Sequence, residues 1–313
     1  MPRPVIIDTD PGIDDAVAIL LALASPEELE VLGIVAVAGN LPLAQTERNA
    51  RRVCELAGRP EIPVYAGCAR PMLRPLASAA AIHGDDLGAR LGLPEPAMPL
   101  RAPHGVDFIV DTLRAAEPSV VTLCALGPLT DIAVALVKAP DIAVRIAEIV
   151  IMGGAGFEIG NVTPAAEFNM HVDPHAAEIV LGSGIRVTMM PLDVTHRVLS
   201  TPARLAALRD LPNRCGPAAA ALLTGFEEAR TGRFGERGRA LHDPCVIVYL
   251  LRPDLFQGRA VNVAVETASL LTSGMTVVDW WGVTARTPNA RFLNTVDADG
   301  LYTLLMERLA RLP

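Results

Sequence analysis

No stretch of the sequence approaches the ~20 consecutive apolar residues that a membrane-spanning helix requires. The N-terminus enters Pro4-Val5-Ile6-Ile7 and then acid, without the apolar segment of a secretory leader. Cysteine is scarce. Cys54, Cys68, Cys124, Cys215 and Cys245 are scattered, odd in number and never in a Cys-x-x-Cys pair. That pattern argues against a disulfide framework or a cysteine zinc site and fits a reducing compartment. Basic runs are absent as well. With 27 Lys and Arg against 35 Asp and Glu, the net charge is −8, a poor match for nucleic acid or an anionic membrane. No internal repeat and no linker-like shift in composition interrupts the chain. The expectation is one soluble, cytoplasmic domain spanning residues 1–313.

Apolar residues make up 51% of the chain, enough for a sizeable core. They fall in short runs that alternate with helical patterns. Strand-like runs lie at 5–7, 31–37, 120–126, 149–152 and 186–190. Helical patterns lie at 14–23, with Val17, Leu20 and Leu21 on one face, at 45–56 and at 129–137. Alternation of this kind predicts an α/β fold: an open, mostly parallel central sheet with helices on both faces, Rossmann-like. The stretch from Arg70 to Pro103 is rich in Pro, Gly and Ala and reads as a long loop of the functional kind. Residues 215–235 read as a helix lying over the site.

The sharpest local feature is Asp8-Thr9-Asp10-Pro11-Gly12-Ile13-Asp14-Asp15, directly after an apolar strand. Carboxylates this close repel one another. A hard cation removes the conflict, and calcium prefers carboxylate and carbonyl oxygens. The position fits too, since ligands of open α/β sheets bind beyond the carboxyl ends of the strands. Capping of the following helix would account for one or two of these acids but not for all four. A second reading is available. Asp8-x-Asp10 resembles the nucleophile motif of haloacid-dehalogenase-type phosphatases. Those usually carry Thr or Val where this chain has Gly12, and they lack the Asp14-Asp15 pair.

The pattern Asp-Thr-Asp-Pro-Gly-x-Asp-Asp-Ala closely resembles the signature of the inosine-uridine-type nucleoside hydrolases. Further segments agree in order: Ala38-Gly39-Asn40, Gly127-Pro128-Leu129-Thr130, the run Asn161 to Asn169 followed by Asp173-Pro174, Leu192-Asp193-Val194-Thr195, and His242-Asp243-Pro244. In one place the chain departs from the family. The pattern His-Gly-x-x-Gly-Leu reads here His83-Gly84-Asp85-Asp86-Leu87-Gly88.

The resemblance implies hydrolysis of the N-glycosidic bond of ribonucleosides to ribose and free base, within nucleoside catabolism and salvage. It implies that Asp10, Asp15 and Asp243 hold Ca2+ together with the main-chain carbonyl of Leu126. It further implies that Asp14 and Asn169 grip the ribose diol with Asn40 beside it. Asn161 and Glu167 would reach the 5′-hydroxyl, Phe168 and Met152 pack against the sugar, and His83 contacts the base. A homodimer or homotetramer is implied as well.

For the chemistry, Asp10 is the candidate general base for water. His242 is the candidate donor to the leaving base, because histidine titrates near neutrality and this one adjoins a candidate metal ligand. Asp243 has a plainer reading as a helix cap before Pro244. His104, His171, His175 and His196 read as surface or structural. Phe226, Arg230 and Phe234 could meet the base or simply pack. Two other functions stand against the first. One is a magnesium phosphatase built on Asp8 and Asp10; the other is a nucleoside-binding protein without catalysis.

Overall fold

The computed structural model describes residues 1–76, 87–224 and 238–313. Its frame is a nine-stranded sheet. In chain order the strands are β1 (Arg3–Thr9), β2 (Leu29–Ala36), β3 (Val64–Ala66), β4 (Val121–Ala125), β5 (Ile146–Met152), β6 (Val187–Met190), β9 (Phe256–Val265), β10 (Thr276–Asp279) and β11 (Ala290–Val296). A separate short antiparallel pair joins β7 (Leu199–Ser200) to β8 (Arg239–Ala240). Across the large sheet the order is β10-β9-β11-β6-β5-β4-β1-β2-β3. From β3 through β11 every neighbouring pair is parallel. Beyond β11, β9 and β10 extend the sheet antiparallel. The mostly parallel sheet read from the sequence is therefore present, with an antiparallel extension that the apolar runs did not reveal.

Parallel strands covered on both faces read as apolar runs, and β1 does so from Pro4 to Ile7, ahead of the buried polar Asp8 and Thr9 at its carboxyl end. One face carries a core that includes Val5, Ile7, Cys124, Val150 and the helices Ile13–Leu23, Pro244–Leu251 and Ala298–Leu309. The other carries Ile6, Leu123, Ile149 and the helices Gly105–Ala115, Thr130–Lys138 and Pro174–Leu181. Helix Ile13–Leu23 is buried along its whole length except at Asp14. It is a central helix, apolar all round, rather than the one-faced helix that Val17, Leu20 and Leu21 suggested. No helix among the described residues is long and apolar enough to cross a membrane.

Two sequence expectations need correcting. The stretch from Arg70 to Pro103 is not loop throughout: it contains the helix Leu87–Leu91, and Arg101 bridges to Tyr65 in β3. Five residues are too few to display a period. This turn is held by tertiary contact, with Leu87 buried and the Arg52 guanidinium against Gly88. Residues 215–235 are helical over Cys215–Thr224; the remainder, with Phe226, Arg230 and Phe234, lies outside the described residues, as does His83.

The order of strands sets the position of the site. The chain runs from β1 outward through β2 to β3, then returns to lay β4 on the opposite side of β1. Strand order reverses between β1 and β4, and ligands of open α/β sheets bind beyond the carboxyl ends of the strands at such a point. The segment 10–15 leaves β1 at that end, and Leu126 to Pro128 leaves β4 there.

Candidate active site

Asp15 sits at the third position of helix Ile13–Leu23 and reaches back to the N–H of Gly12 at 3.0 Å. The same oxygen accepts from Asn40 Nδ2 at 3.1 Å, and its partner oxygen accepts from the Thr9 hydroxyl at 2.6 Å. A fully buried carboxylate is thus tied to β1, to its own helix and to the loop after β2. Asp10 is also buried. Its Oδ2 accepts from the Asn40 N–H at 2.6 Å, whereas its Oδ1 has no hydrogen-bond partner among the described residues. Burial, and then the Asp15 carboxylate beside it, push Asp10 well above the usual carboxylate range.

Asp14 projects differently, as adjacent helical residues must. Its Oδ2 accepts from the N–H groups of His242 at 3.2 Å and Asp243 at 3.4 Å. Asp14 therefore occupies the N-terminus of helix Pro244–Leu251, and the Asp243 side chain makes no cap bond of its own. The cap reading of Asp243 fails for that reason. Its carboxyl turns instead toward the other acids. Asp14, Asp15 and Asp243 each present an oxygen within 4.8 Å of the others. Burial, followed by the charges of Asp14, Asp15 and Asp10, raises Asp243 strongly. An arrangement of this kind can hold a metal ion.

Two glycines make room for Asp10. A Cβ on Gly39 would run into its Oδ2, and one on Gly127 would lie 2.6 Å from its Oδ1. Gly127→Ala should therefore move the Asp10 carboxylate while leaving the sheet intact. A displacement of this kind typically costs ~10²-fold in turnover. The check is kcat alongside circular dichroism, and an active, folded Gly127→Ala enzyme would contradict the placement of Asp10.

The opposite wall comes from the ends of β4 and β5. Asn169 Nδ2 donates to the carbonyls of Leu126 at 2.7 Å and Met152 at 3.1 Å, clamping the two strand ends together. Glu167 caps the short helix Phe168–Val172, accepting from Asn169 N and Met170 N, and also takes the Gly154 N–H. Burial pushes Glu167 up to about 7 against those donors. Asn161 Oδ1 accepts from Phe168 N, so the 161–168 loop closes on itself. Asn40, Met152, Glu167 and Asn169 are thus tied to the backbone around β1, β4 and β5, and Asn161 and Phe168 to each other beside Glu167.

His242 keeps part of its surface open, yet its ring is enclosed deeply enough for burial to pull it below the ordinary histidine range; Asp14 and Asp15 oppose that shift. Its Nδ1 lies 2.8 Å from the Thr195 hydroxyl. His196 is buried and structural, with Nδ1 3.2 Å from Glu158.

Sequence reasoning gave several residues of this region no role. Asp193 accepts from the N–H groups of Gly156, Phe157 and Glu158 and so fixes the loop after β5. Thr195 touches His242. Both stand in the Leu192-Asp193-Val194-Thr195 segment, which was the available signal. Asp8 is a different case. Strand alternation turns it to the face opposite Thr9, where no donor among the described residues reaches its oxygens and burial, then the Asp131 carboxylate, raise its pKa. Asp8 thus has Asp131 as its charged neighbour whereas Asp10 has Asp15 and Asn40, which counts against the paired-acid motif of the phosphatase reading.

Residues 5–303 match the family described as inosine-uridine preferring nucleoside hydrolase. The chain belongs to that family. It is an enzyme of the N-ribosyl hydrolase class, and the non-catalytic reading falls with that assignment. Among its relatives, the pyrimidine-specific ribonucleoside hydrolase RihA of Salmonella paratyphi B is 45% identical over 311 residues, 99% of each chain. An uncharacterised protein of Schizosaccharomyces pombe is 52% identical over 309 residues, again 99% of each. A purine-preferring ribonucleoside hydrolase from Gardnerella vaginalis superposes with a TM-score of 0.90 at 33% identity, over 98% of both chains. The superposition on the Gardnerella vaginalis enzyme takes in the sheet and the helices that frame the acids.

Proposed function

We propose that this enzyme is a calcium-dependent ribonucleoside hydrolase acting as a single catalytic domain, with Asp10 as general base and His242 as donor to the leaving base. The observation that carries the reading is the buried Oδ1 of Asp10, without a hydrogen-bond partner among the described residues, close enough to Asp15 and Asp243 for their charges to bear on one another beside the Asp14-Asp15-Asp243 cluster. An orphaned carboxylate oxygen in a cluster of acids fits a cation far better than a vacant interior. The donor set is all hard oxygen, which suits calcium. Asp10, Asp15, Asp243 and the Leu126 carbonyl would hold it. When bound, calcium supplies Lewis acidity toward water and coordination positions for a ribose cis-diol.

The side chains do the rest. Asp14, Asn40 and Asn169 hold the diol; Asn161 and Glu167 hold the 5′-hydroxyl; Met152 and Phe168 flank the sugar. Asp10 takes a proton from the attacking water as positive charge builds on the ribose ring. His242, whose pKa burial lowers, donates a hydrogen bond to the departing base. His83 is proposed to contact the base. Nucleoside catabolism and salvage, a cytoplasmic location and a dimeric or tetrameric state complete the reading.

The relatives differ in base, and the higher identity to the pyrimidine-specific enzymes ranks uridine and cytidine first. The test is a panel of inosine, adenosine, guanosine, uridine and cytidine in phosphate-free buffer with calcium, reading free ribose. Ribose should appear, fastest from the pyrimidines. Faster purines would overturn the preference alone; no ribose from any of them would overturn the function.

A further inference from the structure

The Thr195 hydroxyl has one hydrogen-bond partner among the described residues, Nδ1 of His242 at 2.8 Å. Thr195 ends the short helix Leu192–Thr195, which follows β6 through Pro191, and the residue is fully buried. Its backbone is fixed on both sides: its N–H donates to Pro191 O at 3.1 Å and its carbonyl accepts from Val198 N at 3.1 Å. The His242 backbone is fixed too, through Asp14. The ring of His196 stands edge-on to that of His242 at 6.0 Å between centroids. The imidazole is therefore located by its main chain, a neighbouring ring and one hydroxyl.

That hydroxyl bears on the tautomer. A neutral imidazole carries one N–H and one bare nitrogen, and the partner of one nitrogen decides which is which. If Nδ1 held the proton, Thr195 would accept it and its own buried O–H would have no acceptor. If Nδ1 is bare, Thr195 donates into it and both groups are satisfied. Buried donors left unpaired are costly, so the second arrangement prevails. The proton then sits on Nε2, at the other side of the ring.

We propose that Thr195 is a positioning residue for departure of the nucleobase: by donating to Nδ1 it holds His242 in the Nε2–H tautomer and fixes the direction in which that N–H points. The proposal rests on His242 serving the leaving base. In the step, the C1′–N bond breaks and its electron pair goes to the base, whose developing charge accepts the Nε2–H hydrogen bond. Water supplies the oxygen to C1′ and its proton to Asp10. The base takes up an equivalent proton when Asp10 gives its own back.

The test compares wild type, Thr195→Val, Thr195→Ser and His242→Ala on uridine and on p-nitrophenyl riboside, whose leaving group needs no donor. Thr195→Val keeps the shape and removes the hydroxyl. It should lower kcat for uridine by about 10- to 100-fold, the usual effect of losing an orienting partner. KM and the activated substrate should change little, and Thr195→Ser should restore uridine turnover. Equal losses on both substrates, or no rescue by serine, would make Thr195 a packing residue and overturn the proposal. His242→Ala separates the two claims. If it shows no difference between substrates, the donor role of His242 fails; if it does and Thr195→Val does not, only the role of Thr195 fails. Imidazole 15N shifts of the calcium-loaded wild type need no variant: the proton on Nε2 supports the proposal, and a proton on Nδ1 contradicts it.

Discussion

Asp10→Asn should yield a folded protein with turnover reduced roughly 10²- to 10⁴-fold, the range for loss of a general base. The fold should survive because an asparagine oxygen can still accept the Asn40 N–H that Asp10 Oδ2 now accepts. The chemistry should not, because an amide cannot take a proton from water. A further consequence separates this from ordinary damage. Burial and Asp15 make the charged form of Asp10 costly in the metal-free protein. Removing that charge relieves the acids, so metal-free Asp10→Asn should melt no lower than metal-free wild type. Near-normal kcat at saturating uridine and calcium would show that another group takes the proton. A marked fall in melting temperature would show that Asp10 belongs to the framework.

Removing calcium should abolish ribose release, and adding it back should restore activity where magnesium restores less. The same treatment should change stability in a pH-dependent way. Asp10 and Asp243 are raised above their ordinary values in the metal-free fold. Such groups favour the fold while protonated. Their contribution is present below the ordinary carboxylate range and is lost as pH rises through the raised folded values. Calcium replaces those protons and should offset the loss. The gap in Tm between calcium-loaded and EDTA-treated protein should therefore be small in acid and widen toward neutrality. Binding at a hundredfold excess over Kd contributes about 2.7 kcal/mol. A gap that narrows with pH, or full activity in EDTA, would contradict a calcium seat among these acids.

Much of this site is legible in the sequence because its residues are packed into short segments at strand ends. Asp10 to Asp15 follow β1, Asn40 follows β2, and Leu126 follows β4, so an alternating pattern was enough to bring them to one end of a sheet. The His242-Asp243-Pro244 segment was legible as a motif, but its geometry was not. Pro244 after Asp243 predicts a cap, and only the fold shows that Asp14, 229 positions away from Asp243, takes the N–H groups there. Thr195 could not be paired with His242 either, since their contact spans 47 residues and has no local signature. The antiparallel extension was missed for another reason. In β9, buried and exposed residues mix, as expected near a sheet edge, so it lacks a continuous apolar run like Pro4 to Ile7 of β1. Asp8 shows the converse hazard. Adjacent acids in a motif look like one site, but Asp8 lies within β1 beside Asp131, whereas Asp10 lies past the end of the strand beside Asp15.

The most direct test of the account is a crystal structure of the enzyme grown with calcium and ribose. The account predicts one calcium bound by the carboxylates of Asp10, Asp15 and Asp243 and by the Leu126 carbonyl, with the ribose diol against Asp14 and Asn169. An ion bound elsewhere, or ribose seated away from the Asp10 carboxylate, would contradict it.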